Sequence, residues 1–262
     1  MHDNNAANRI NTAIENQIAT VTIHRPEQRN AFDDEMLRAM ERAFDDLAAH
    51  PLRATILTGA GDICFCAGYD INCIDPEQSL DIPLPDVRFE RIIHAVARSQ
   101  VPVIAAMNGD AYGGGLDLAL ACDFRIARPA IKVGMTPVRL GLVYSDAGIS
   151  RFLTKLGAST TRILFLTGRP LDATEALRLG IIDEIAASDD LLARALDWAH
   201  QMARGAPLAV AGTRRTIQYL EQSSPLSPDQ QAELDQLRRD AFLSPELSRR
   251  LLSFRAKTKK RD

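Results

Sequence analysis

Short apolar runs, two of them closed by glycine, alternating with stretches of helical spacing, constrain this chain more than any other feature. The runs "RATILTG" (53–59), "VPVIAAMNG" (101–109), "FRIA" (124–127) and "IIDEI" (181–185) are too short for helices and mostly lack polar alternation. They predict strands buried on both faces and therefore largely parallel pairing. Between them, "DDEMLRAMERAFDDLAAH" (33–50) sets Met36, Leu37, Met40, Phe44 and Leu47 at helical spacing behind an Asp cap. "VRFERIIHAVARS" (87–99) and "GLDLALACD" (115–123) also read as helices, and the alternation argues an α/β fold. Residues 10–24 read as two strands around the turn "ENQ", with another strand near "IKVGM" (131–135).

From residue 146 the chain reads as mostly helical. "DATEALRLG" (172–180) carries a capping box, Asp172 with Glu175, and a closing Gly180. Helices are expected near 188–204 and 207–221, a turn-rich linker at "QSSPLSPD", and two more helices near 229–243 and 245–256. Residues 1–186 are thus expected to form the core. Residues 187–262 form a helical region with too little apolar area to stand alone, which should pack on the core or on a neighbouring subunit.

The charge balance removes several functions. Lys and Arg total 31 against 34 Asp and Glu, a formal net charge of −3, so the chain lacks the basic excess of a nucleic-acid binder. The basic end "RAKTKKRD" reads as a solvated terminus. Cys64, Cys66, Cys73 and Cys122 show no paired C-x-x-C spacing and are expected as reduced thiols, with no metal site. "MHDNNAANRINTAIENQ" has no apolar targeting core, and no apolar run reaches the roughly 20 residues of a membrane span. A cytoplasmic protein outside the membrane is expected. There is no G-x-G-x-x-G after a strand, no G-x-x-x-x-G-K-[ST] and no G-x-S-x-G, which disfavours dinucleotide, nucleotide-hydrolase and serine-esterase chemistry.

What remains is Gly113-Gly114-Gly115 between a strand and a helix, and a second glycine-bearing loop, "FCAGYD" (65–70). Helix starts leave amide groups without intrahelical partners at a positive dipole end, and glycine lets backbone approach a ligand closely. Two amides from separate loops converging on one oxygen would make an oxyanion hole for the enolate or tetrahedral intermediate of a thioester. By itself a glycine cluster is equally a packing device.

Five segments carry a resemblance: "IHRPEQRNAF", "ILTGAGDICFCAGYDI", "VPVIAAMNGDAYGGGLDLALACDFRIA", "LGLVYSDAGISRFLTKLG" and "LFLTGRPLDATEALRLGIIDEI". In this order they resemble the enoyl-CoA hydratase/isomerase (crotonase) superfamily over about residues 10–186. The resemblance implies a spiral of ββα units with a C-terminal helical trimerisation region, and a homotrimer or hexamer. It implies an acyl-CoA substrate with no further cofactor, whose thioester oxygen meets the amides of Tyr69 and Gly114. It places Arg29, Ala31, Ala67, Asp70, Ile71 and Tyr112 along the CoA and acyl path, with Asn72 where many members carry a CoA-contacting Lys.

In hydratases of that family two glutamates flank the acyl carbons. Asp117 holds the first place, and Pro137 in "GMTPVRLGL" holds the second. Syn hydration needs one group to activate water and another to handle the α-proton, so a single carboxylate fits a double-bond shift, deprotonation at an activated carbon, or a reaction that draws its base from elsewhere. Asp117 inside "GGGLDLALA" is the expected general acid/base. Asp146 in "YSDAG" reads as a helix cap or a second catalytic acid, and Tyr144 as a phenol or an aromatic wall of the pocket. Glu90 reads as a solvated helix charge and His94 as structural. A hydrolase or decarboxylase using Asp146, Glu90 or Tyr144 is the alternative, and an RNA- or CoA-binding protein on the same fold is a third.

Overall fold

The computed structural model describes residues 9–73 and 85–221, with a few positions between 227 and 236. Strands β1 (Ile10–Glu15) and β2 (Ile18–Ile23) pair antiparallel, Glu15 opposite Ile18. The two-residue turn between them holds Asn16 and Gln17 at φ of 49° and 64°, the sense of turn that matches strand twist. Strands β3 (Ala54–Gly59), β5 (Val103–Met107), β7 (Phe124–Ala127) and β10 (Glu184–Ile185) extend the sheet in parallel, in the order β1-β2-β3-β5-β7-β10. β5 is buried along its whole length and β3 nearly so, as their unbroken apolar runs predict.

A second sheet was not legible in the sequence. It consists of β4 (Cys64–Cys66), β6 (Asp110–Tyr112), β8 (Lys132–Gly134) and β9 (Leu171–Asp172), in that order. The first three are mutually parallel and β9 is antiparallel to β8. Consecutive pairs β3-β4, β5-β6 and β7-β8 each give one strand to the large sheet and one to the small. A helix follows each pair, which is the expected spiral of ββα units.

Helix α1 (Asp34–Leu47) begins at the expected cap: Asp33 accepts from the Met36 amide at 2.9 Å, and all five apolar positions named above are buried. Helices α2 (Pro85–Ala97) and α3 (Gly114–Ala121) follow β4 and β6. α3 is buried at every position from Gly115 to Ala121, as expected of a helix apolar all round but for one acid. α4 (Asp146–Thr167) breaks at Gly157, whose φ of 73° and ψ of 169° are not helical. α5 (Ala173–Arg178) is capped by Asp172, which accepts from the Glu175 amide at 2.8 Å. Only half of the predicted capping box forms, because the Glu175 carboxylate turns to Arg169 at 2.6 and 2.9 Å.

The chain divides into two compact units, Met1–His200 and Gln201–Asp262. The border lies inside α6 (Leu191–Ala203), the helix that follows residue 186; α7 (Pro207–Leu220) belongs to the second unit. The helices expected near 229–243 and 245–256 lie outside the described residues, apart from helical positions between 228 and 236. The same holds for residues 74–84. Among the described residues no helix is long and apolar enough to cross a membrane.

Candidate active site

Among the described residues the loop after β4 is hydrogen-bonded by the main chain along one edge. Phe32 bridges Tyr69 in parallel: the Phe32 amide donates to the Gly68 carbonyl and the Asp70 amide to the Phe32 carbonyl, both at 2.8 Å. In a parallel bridge these bonds go to the neighbours of the bridged residue, so the Tyr69 amide faces the other way. Below the loop, Asp70 is buried and accepts from Arg25 at 2.9 Å, while its other oxygen takes the Asn72 amide and side chain. Asp70 therefore anchors the loop, and Asn72 is spent on Asp70.

The second loop turns β6 into α3. Gly113 donates to the Gly134 carbonyl at 2.9 Å and then takes φ 53° and ψ −123°, a conformation side chains resist. Gly115 is needed for space: a Cβ there would lie 1.9 Å from the Cys66 carbonyl oxygen. The two loops touch, since a Cβ on Gly68 would lie 2.8 Å from the Gly114 nitrogen. Among the described residues neither the Tyr69 amide nor the Gly114 amide has an acceptor. Two free donors at touching loops, one opening a helix, form a place for a partial negative charge.

Asp117 lies in the first turn of α3 and is 0% exposed. A lone buried carboxylate would cost on the order of several kcal/mol, and here both of its oxygens are bonded. Arg151 of α4 donates through Nε to Oδ1 at 2.7 Å and through Nη2 to Oδ2 at 3.3 Å, and the Tyr144 hydroxyl donates to Oδ2 at 3.0 Å. Arg151 also donates to both oxygens of Glu90 on α2, at 2.8 and 2.9 Å. Burial opposes the Arg151 charge, but the two carboxylates outweigh it and hold the guanidinium more firmly protonated than usual. Burial, then the Asp117 carboxylate, pushes the Tyr144 phenol well above its ordinary range.

Several expectations change here. Glu90 is not a solvated charge: its side chain is 12% exposed and clasped by Arg151. His94 is 66% exposed, with Nε2 3.9 Å from Glu90. Asp146 is exposed in the first turn of α4, where the cap is Ser145, whose hydroxyl accepts from the Gly148 amide at 3.1 Å. Pro137 opens a short 3-10 turn (Pro137–Leu140) and is half-buried. Arg29 and Ile71 are exposed, Ala31 is buried and Ala67 half-buried. Tyr112 donates to Asp110 at 3.2 Å. Arg151, the group that binds the cluster together, gave no signal in the sequence.

Two more phenols are raised to about 12: Tyr69 by burial and by Asp34, to which it donates, and Tyr112 by burial and Asp110. A proton held more tightly in the folded chain favours folding fully below the unfolded value of about 10, and that contribution is lost as pH rises towards 12. Tyrosinate absorbance of the folded protein is therefore expected to rise at higher pH than that of the urea-unfolded chain. Coincident titration curves would contradict these environments.

Known proteins of one family are similar to this chain. The sequence profile described as Enoyl-CoA hydratase/isomerase matches residues 13–256. The short-chain-enoyl-CoA hydratase of Clostridium acetobutylicum is 31% identical over 204 residues, 78% of each chain. The carnitinyl-CoA dehydratase of Salmonella arizonae is 35% identical over 198 residues, 75% of each chain. A solved enoyl-CoA hydratase/carnithine racemase from Magnetospirillum magneticum superposes with a TM-score of 0.88 at 30% identity, covering 95% of this chain and 93% of that one.

Proposed function

We infer from its membership of the enoyl-CoA hydratase/isomerase family that this chain moves a proton next to the carbonyl of an acyl-CoA thioester, through an enolate held by two backbone amides. The observation that carries the reading is the pair of acceptor-free amides, Tyr69 and Gly114, on loops that touch at Gly68. A thioester oxygen placed between them gains charge as the enolate forms, and fixed donors at that point lower the barrier without having to reorganise. Asp117 follows three residues after Gly114 on the same helix, so the acid/base group sits within about one turn of the hole. Arg29 and Ile71, exposed beside the first loop, suit the CoA path, with Ala31, Ala67 and Tyr112 behind it.

With Pro137 at the place of a second acid, isomerisation of a double bond needs less of this site than addition of water. Hydration would require water to be activated by the Asp117 cluster itself. Asp146, exposed at the start of α4, serves the competing hydrolase or decarboxylase reading. The test is incubation with crotonyl-CoA, trans-2-hexadecenoyl-CoA and cinnamoyl-CoA while enone absorbance and free thiol are followed together. Change in the acyl group without thiol or CO2 release is expected; thiol release matching substrate loss would overturn the reading. A homotrimer or hexamer is proposed on the family likeness, supported by the exposed apolar side chains of Leu140, Leu142 and Val143, the last 90% exposed. A monomer by sedimentation at micromolar concentration would contradict it.

A further inference from the structure

Two carboxylates share one guanidinium in this site, and the arithmetic of that sharing leaves a function open. Glu90 and Asp117 each carry one negative charge when ionised, and Arg151 carries one positive charge, so the cluster keeps one negative charge in excess. One excess charge in a mostly buried place is capacity for one proton. Asp117 cannot collect that proton directly, because its side chain is 0% exposed and its oxygens already take Arg151 and Tyr144. Tyr144 is bonded to Asp117 through its buried hydroxyl, yet the residue as a whole is half-buried and reaches further out than Asp117. Its ring has space because residue 148 is glycine: a Cβ there would lie 2.3 Å from the ring.

We propose that the Tyr144 hydroxyl relays the proton between the substrate α-carbon and Asp117, and that Glu90 and Arg151 make the cluster a store for that single proton. The proposal rests on the enolate reading given above. In the forward step the Tyr144 proton passes along the 3.0 Å bond to Asp117 Oδ2 as the phenolic oxygen takes the proton of the α-carbon, and the C–H electron pair becomes the enolate. Tyr144 is neutral before and after, Asp117 becomes neutral, and the enolate carries the charge. The reverse sequence returns a proton to carbon. One acid with a relay then does the proton transfer that isomerisation needs, without a second carboxylate at residue 137.

Glu90 and Arg151 act as positioning residues. Once Asp117 is protonated, Arg151 is still neutralised by Glu90, so the loaded state holds no unpaired buried charge. The other groups facing the cluster are the Ser145 hydroxyl, 3.4 Å from Glu90, and His94, 3.9 Å from the same carboxylate on its exposed side.

The experiment follows deuterium uptake from D2O at the α-carbon of butyryl-CoA, palmitoyl-CoA and 3-phenylpropanoyl-CoA by mass spectrometry, alongside ester affinity and melting temperature. The wild-type chain is expected to exchange at least one of the three. Tyr144→Phe is expected to lower that exchange by about 10²-fold or more with affinity kept. Glu90→Gln still accepts from Arg151 but removes the excess charge, and is expected to lower exchange about 10-fold or more at unchanged affinity and melting temperature. Should Tyr144→Phe fold poorly, Glu90→Gln alone decides. Wild-type exchange rates in either folded variant would overturn the relay while leaving the enolate reading intact. No exchange of any bound ester by the wild-type chain would remove the enolate reading and the relay with it.

Discussion

Gly68→Ala is expected to lower turnover of the best enoyl-CoA by about 10²–10³-fold, the cost of losing one well-placed oxyanion donor. Two features of the residue add up. Its φ of +89° lies where side chains are strained, and its Cβ would lie 2.8 Å from the Gly114 nitrogen, so relief requires one amide to move away from the other. Stability should fall by roughly 1–3 kcal/mol as well, the range for overpacking a tight contact. Gly180→Ala separates the two contributions. Gly180 has φ +72° but nothing within 4 Å of an added Cβ, so it should lose stability alone and keep turnover. If Gly68→Ala matches Gly180→Ala in both respects, the touching loops are not the site of thioester binding.

Arg151→Met is expected to destabilise the chain by about 3–5 kcal/mol, the range for stripping the partner from buried charge. Asp117 and Glu90 would face each other across an apolar gap, and the urea midpoint should fall accordingly. Adding Glu90→Gln removes one of the two orphaned charges and should recover part of the loss, so the two changes are non-additive. An unchanged midpoint in Arg151→Met would mean that the carboxylates reach solvent and that the cluster is not closed.

The large sheet was legible because β3, β5 and β7 are apolar enough to be buried whatever surrounds them. Of the small sheet only β8 was, as the strand near "IKVGM"; β4 and β6 are three residues each and owe their extended state to their neighbours. Asp117 stood out as an acid among apolar residues, and the two glycine loops by their order. Arg151 did not, since "GISRFLTKLG" reads as an ordinary helix face and its partners lie 34 and 61 residues away in sequence. The misreading of Glu90 has the same cause. A charge on a helix is solvated by default, and only the approach of α4 to α2 shows otherwise.

Main-chain donors place the proposed task of holding a thioester oxygen beyond the direct reach of side-chain mutation. Substitutions at residues 137–151 can exchange one proton-moving group for another while the amides of Tyr69 and Gly114 stay where β4 and β6 set them. On the proposed reading, a side-chain change at residue 137 or 146 therefore alters the proton chemistry while the two amides keep their place for the ester oxygen.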